Sequence, residues 1–313
     1  MRTSPPERSR SRPRFNVFQP EVLGAARRWQ NGYSPPITEP KPNAPVEPFS
    51  ILSLPRPFVT PPEMVKPDAL PEYDDHGFPH GEQYEPILKA KTPSFSTRAT
   101  LPGLKIKRRH ETLSHGETGI QVVLWFHPYV VDLREQVGRF SLDAYRRAEF
   151  KGERMRRSDL MTIDLILNYV CPQTGALRPH GVSIKGRDYA PKEEDLARER
   201  REQESMAQCG GSWELLRADA VSAREYGNCG ALWSMVRDHD VPSLYRDASL
   251  FARALKKVSH KGTFRDVLTR TANRQSITLD YASNLFAVSI AYGFLQLDHR
   301  AELRAFKPLY LIN

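Results

Sequence analysis

Between residues 114 and 217 the apolar positions fall into blocks of alternating period. Ser114 and Glu117 form an S-x-x-E capping box ahead of an apolar run, Ile120 to Phe126, which predicts a helix starting at Ser114 and ended by Pro128. VVDLREQ (130–136) reads as a strand leaving the core. Residues 160–170 (LMTIDLILNYV) predict a strong strand, Pro172 and Gly175 a turn, and Gly181 to Lys185 a shorter partner strand, together a β-hairpin. Residues 191–208 are dense in Glu, Arg and Ala and predict a solvent-facing helix, and SWELLR (212–217) predicts a further strand. Strand, hairpin, helix and strand in that order imply a mixed sheet flanked by helices, an α/β fold. Upstream, LKIKRRHET (104–112) alternates like a short basic strand. YRRAEFKGERMRRSD (145–159), with six basic residues and a glycine, reads as a basic loop.

After residue 222 the helical period dominates, with helices expected near 228–237, 243–258, 263–272 and 278–292. Two short apolar stretches, Phe294 to Leu297 and Phe306 to Ile312, then flank a polar turn. Helices followed by a hairpin imply a winged-helix-like C-terminal domain. The opposite end is a different material: 20 of the 26 prolines lie within the first 102 residues. Proline fixes φ and removes a donor, so neither helix nor central strand propagates there. Apolar anchors from Phe15 through Trp29 to Phe58 nevertheless run through this stretch, so an extended arm draped over another surface competes with a solvated tail. The expected organisation of the 313 residues is an arm over 1–95, an α/β domain over 96–222 and a helical domain over 223–313.

Charge and cysteines narrow the partners. The net charge of +9 favours an anionic partner, and residues 246–274 alone carry eight Lys or Arg against two Asp. The longest apolar stretch, Tyr281 to Leu297, is interrupted by Ser283, Asn284, Ser289 and Gln296, so no membrane span is expected. The first residues are basic and have no apolar h-region, unlike a secretory signal. Three cysteines without CxxC spacing point to a reducing cytosol. His110, His115, His127 and His180 lack zinc-site spacing and read as surface histidines. No phosphate-binding loop is present, so any ATP use belongs to a partner.

The chemistry-bearing constellation lies in the α/β segment. Phosphodiester cleavage needs carboxylates to hold a divalent cation against the phosphate and a cation to offset developing charge. Asp164 interrupts an apolar strand, which is costly unless the charge is paired or ligates metal. The hairpin brings Lys185 beside it, and Glu117 sits in the first turn of the preceding helix. The resulting E…D…x-K order is that of restriction-endonuclease-like nucleases. Each residue has a second account: Glu117 as the capping residue, Asp164 as an arginine's partner, Lys185 as a rim lysine.

The surrounding text resembles one family. SHGETGIQVVLWFHPYVVDLREQ (114–136) resembles the signature of TnsA, the endonuclease subunit of heteromeric cut-and-paste transposases. MTIDLIL (161–167) is similar to the family's strand bearing the metal aspartate, and VSIK (182–185) to the strand ending in its catalytic lysine. The resemblance covers about residues 90–222 and implies a PD-(D/E)xK core in which Glu117, Asp164 and Glu202 hold Mg²⁺, or Mn²⁺ as a substitute. It makes Lys185 the residue that orients or activates water. For Glu202 a surface glutamate among Arg198, Glu199 and Arg201 is the alternative. Ser183 departs from the family, which places an amide-bearing side chain there, and the arm has no counterpart. The implied activity is cutting the 5′ strand at transposon ends, beside a DDE-type transposase subunit (TnsB-like) and an AAA+ ATPase regulator (TnsC-like), in a bacterial cytosol at the nucleoid. Arg146, Arg147, Arg154, Arg156, Arg157 and Arg187 would hold DNA phosphates without reading sequence. A catalytically idle nuclease-like scaffold and a stand-alone restriction-type nuclease are the rival readings.

Overall fold

The computed structural model describes residues 50–54, 70–87, 98–151, 159–172 and 174–312. An antiparallel pair, β1 (Ala99–Pro102) and β2 (Arg109–Thr112), leads into helix α1 (His115–Trp125). The helix starts where its cap dictates: Ser114 Oγ accepts the Glu117 N–H at 3.2 Å. It stops ahead of Pro128, which disfavours helical backbone in the residue before it. Then come β3 (Val130–Phe140), α2 (Leu142–Phe150), β4 (Leu160–Val170), β5 (Leu177–Lys185), α3 (Glu193–Gln208) and β6 (Ser212–Arg217). The four strands form one mixed sheet in the order β3-β4-β5-β6. β3, β4 and β5 are antiparallel neighbours, and β6 runs parallel to β5 because α3 carries the chain back across. Four helices complete the chain: α4 (Ala223–Val236), α5 (Tyr245–Leu255), α6 (Phe264–Gln275) and α7 (Leu279–Ala291). No helix among the described residues is long and apolar enough to cross a membrane.

Several sequence expectations need correction. Residues 142–150 are helix rather than basic loop, because Ala144, Tyr145 and Ala148 make a buried stripe that the arginines around them mask. The hairpin strand β5 starts at Leu177 despite Pro179, since pairing to β6 begins only at His180 and the missing N–H is not needed there. Residues 104–106 lie outside the strand expected over 104–112, although Leu104 and Ile106 are buried. The hairpin expected after the last helix is reduced to a single bridge, Leu297 to Leu311. The ten residues between Leu297 and Pro308 hold their own turns through Asp298–Arg300 and Glu302–Lys307 pairs, and Pro308 offers no N–H to a ladder.

Both faces of the sheet are covered. Leu165, Leu167 and Tyr169 of β4 share one continuous core with Ile120 and Leu124 of α1 and with Phe251 and Phe286 of the C-terminal helices. On the other side Val137, Ile163 and Ile166 pack with Phe78, Tyr84, Tyr145 and Met206. Full burial contributes roughly 1.5–3 kcal/mol for each such side chain. Two parts of the proline-rich region take part. Ile51 is fully buried and its N–H donates to Glu214 Oε1 at 2.9 Å, and residues 70–87 cover β3. The expectation that this region docks outward is corrected for those residues; Trp29 lies outside the described residues. β3 is therefore no strand leaving the core. Its backbone carbonyls are taken by Tyr84 Oη (Glu135, 2.8 Å), Arg108 (Leu133, 2.8 Å) and Lys105 Nζ (Val130, 2.7 Å), and this covering protects an edge strand.

Candidate active site

Asp164 stands one residue before Leu165, which pairs with Val182 at the end of the β4–β5 ladder. There its Oδ2 accepts the Ile184 N–H at 2.7 Å, so a side chain replaces a ladder bond. On the other side, the register of β3 sets Gln136 between the pairs Glu135–Leu165 and Val137–Ile163, directly across from Asp164. Gln136 Nε2 donates to Asp164 Oδ1 at 3.4 Å. Glu117 enters from the first turn of α1. Its Oε2 accepts the Leu113 N–H at 3.0 Å and its Oε1 accepts the Ser114 hydroxyl at 3.1 Å, and the Gln136 amide lies near enough to oppose the rise of its carboxyl. Glu117 takes the Leu113 N–H instead of the Ser114 N–H that a capping box requires, so Ser114 caps the helix while the Glu117 carboxylate stands within reach of the Asp164 charge.

The electrostatics of this pair are unusual. Burial raises both carboxyl groups above their ordinary values, and the Asp164 charge raises Glu117 further. For Asp164 the Ile184 N–H and the Lys185 ammonium oppose burial, while the Glu202 charge adds to it. Lys185, the last residue of β5, also lies 5.6 Å from the centre of the Tyr189 ring. Glu202 is no surface glutamate: it is 1% exposed. Its Oε1 accepts Arg198 Nε at 2.8 Å and its Oε2 accepts the Ser183 hydroxyl, which in turn takes the Trp213 indole N–H at 3.3 Å. Arg198 also reaches the Thr162 carbonyl at 3.1 Å. Ser183 therefore anchors Glu202 to the sheet.

Glu117, Asp164 and Lys185 are brought together, with Glu202 behind them. The basic residues are not part of that cluster. Arg187 pairs with Asp219 at 3.3 Å and is largely exposed, Arg146 approaches Asp143 at 3.8 Å on α2, and Arg147 follows on the same helix. Arg154, Arg156 and Arg157 lie outside the described residues. Three of the four histidines read as surface residues are buried: His110 against Glu135, His180 between Ser212 and Glu214, and His127.

Among the described residues no cluster of three or more His, Cys, Asp or Glu is arranged to hold a metal ion. Glu117 and Asp164 form a two-carboxylate set of hard oxygen donors. Such a set fits Mg²⁺, which is commonly held by one or two carboxylates and keeps several waters.

Sequence reasoning missed two residues here. Arg198 was hidden in a helix rich in charge, and only its i,i+4 spacing from Glu202 marks it. Gln136 is buried, and its backbone is left-handed, with φ 49°. A non-glycine residue pays of order 1–3 kcal/mol for such a conformation. Once Asp164 is chosen, pairing β3 against β4 finds Gln136, but the register is not written in the sequence. No protein-family model matches the chain, and no curated protein is significantly similar to it.

Proposed function

We propose that the chain is a metal-dependent DNA endonuclease of the TnsA kind, cutting the 5′ strand at transposon ends within a heteromeric transposase. One observation carries the reading: a buried carboxylate, Glu117, and a half-buried one, Asp164, come from different elements and converge next to the lysine that ends the partner strand. Neither accepts a hydrogen bond from a guanidinium among the described residues, Arg198 acting on Asp164 only through its charge, and two desolvated acids side by side suit a divalent cation. The element order supports it too, since helix, three antiparallel strands, helix and a parallel strand is the order of a restriction-endonuclease-like core. The helices α5–α7 stand in for a winged-helix-like unit without its wing.

In this reading Glu117 and Asp164 hold Mg²⁺, or Mn²⁺ in its place. The cation supplies Lewis-acid stabilisation of the phosphate and a more acidic water. Lys185 orients the attacking water and offsets charge on the scissile phosphate. Asp164, fixed by the Ile184 N–H, cannot swing away from that lysine. Ser183 and Arg198 keep Glu202 at the rear of the site, where its charge acts on Asp164. Arg146, Arg147 and Arg187 are free enough on the surface to meet DNA phosphates, which position a duplex without reading it. End recognition and 3′-strand chemistry then belong to a DDE-type transposase subunit, and ATP use to an AAA+ regulator.

The scaffold reading is favoured by one feature, the engagement of Glu202 with Arg198. Reconstitution with the transposase encoded beside this chain, on end-containing DNA with Mg²⁺, separates the two. A nuclease gives 5′-strand cuts that disappear with Asp164→Ala, whereas a scaffold gives 3′ cuts alone with either protein.

A further inference from the structure

Two described non-glycine residues have positive φ, and they differ in kind. Ser276 is the left-handed residue that ends α6, an ordinary helix terminus. Gln136 lies inside a strand, is 2% exposed, and turns its amide onto Asp164 at 3.4 Å, near enough to Glu117 to act on its carboxyl as well. A glycine would adopt the same backbone without strain, so the turn by itself has no need of a glutamine. Each carboxylate already has one backbone donor, Leu113 N–H on Glu117 and Ile184 N–H on Asp164. What those donors do not supply is anything that draws the two acids toward each other against their repulsion.

We propose that Gln136 is a positioning residue that holds Glu117 and Asp164 together as a cation-binding pair through its neutral amide. Neutrality is the point. A guanidinium in that place would hold the acids more strongly but would cancel the charge that attracts a cation, as Arg108 does for Glu135 one residue earlier on β3. An amide with two N–H donors orders the carboxylates without adding a positive charge to them. This inference rests on the proposed metal-dependent function.

The test is Mn²⁺ binding to the full chain, followed by electron paramagnetic resonance, with thermal unfolding of each variant alongside. Gln136→Gly keeps the left-handed backbone and removes the amide. It is expected to melt no lower than the unaltered protein and to bind Mn²⁺ about 10–100-fold more weakly. Gln136→Asn tolerates positive φ and keeps an amide, and it is expected to recover most of that loss. Gln136→Gly binding Mn²⁺ as tightly as the unaltered protein would show that Gln136 is only a turn residue, with the metal reading intact. Asn binding as weakly as Gly also overturns the proposal, and should the glycine variant not fold, a folded Gln136→Asn that binds Mn²⁺ about 10-fold or more weakly than the unaltered protein does the same. An unaltered protein that binds no Mn²⁺ overturns both the proposal and the reading beneath it.

Discussion

Glu135 and Gln136 are consecutive on β3, yet they belong to two buried polar clusters of opposite character. Around Glu135 every charge is answered. Its oxygens take Arg108 at 2.9 and 2.5 Å, His110 Nδ1 at 3.1 Å and the Glu111 N–H at 2.9 Å. Burial alone would raise this carboxyl, but Arg108 and His110 hold it down to about 2. Beside it Arg134 meets Asp74 at 2.8 Å and keeps that acid well below the usual carboxylate range despite its burial. Around Gln136 the acids outnumber the cations that reach them, and burial raises both Glu117 and Asp164. Both clusters are desolvated, so desolvation does not distinguish a site from a structural network. The sign of the uncompensated charge does.

That contrast can be broken most sharply at Asp164. Asp164→Ala is expected to drop 5′-strand cleavage to background while leaving the melting temperature little changed, because deleting a desolvated charge offsets the Ile184 N–H left unpaired. Full-rate cleavage by this variant would end the nuclease reading. Glu135→Ala should do the reverse. It strands Arg108 without its partner and should lower stability by about 3–5 kcal/mol in urea unfolding; a change below about 1 kcal/mol would mean that the network is no more than a rim of surface pairs.

Acid sharpens the same comparison. The Glu135 carboxyl is lowered on folding, so its contribution is complete above its ordinary value of 4.5 and is lost as pH falls toward about 2. Glu117 and Asp164 are raised, so they oppose folding at neutral pH and stop doing so as they protonate, above the ordinary carboxylate range. Urea midpoints followed from pH 7 to pH 2 should therefore rise slightly before they fall. The rise should shrink in Asp164→Ala, where Glu117 alone remains raised, and the fall should shrink in Glu135→Gln. The smallest effect is expected outside both clusters. Changing Arg146, Arg147 and Arg187 together to Ala should flatten the slope of log K against log salt for DNA binding by about 2.7, at about 0.9 per phosphate contact. An unaltered slope would make them solvated side chains.

Sequence alone reached what depends on local rules. The Ser114 cap, the bounds of β4 and β6 and the Asp164–Lys185 hairpin follow from side-chain period and turn chemistry, and they appear where those rules put them. It failed where a distant partner decides. Tyr145 and Ala148 look like a loop until the second core shows what they pack on. Nothing local distinguishes the buried His180 from the exposed His115, because only strand pairing brings Ser212 and Glu214 to the former. Gln136 combines both kinds of failure. Its conformation is one that glutamine rarely adopts, and its partners come from α1 and β4, 19 and 28 residues away in the chain.

The hydrogen bond from Ile51 to Glu214 joins residues 163 apart, and that separation has a consequence during synthesis. At roughly 5–20 residues per second, Ile51 emerges about 8–30 s before the strand that will bury it exists. Through that interval the sheet can build its first three strands, but the seat of Ile51 against β6 stays unmade. Closure of the core is thus a late event on the ribosome. A nascent chain stalled before residue 214 would carry Ile51 exposed, open to chaperones and proteases alike.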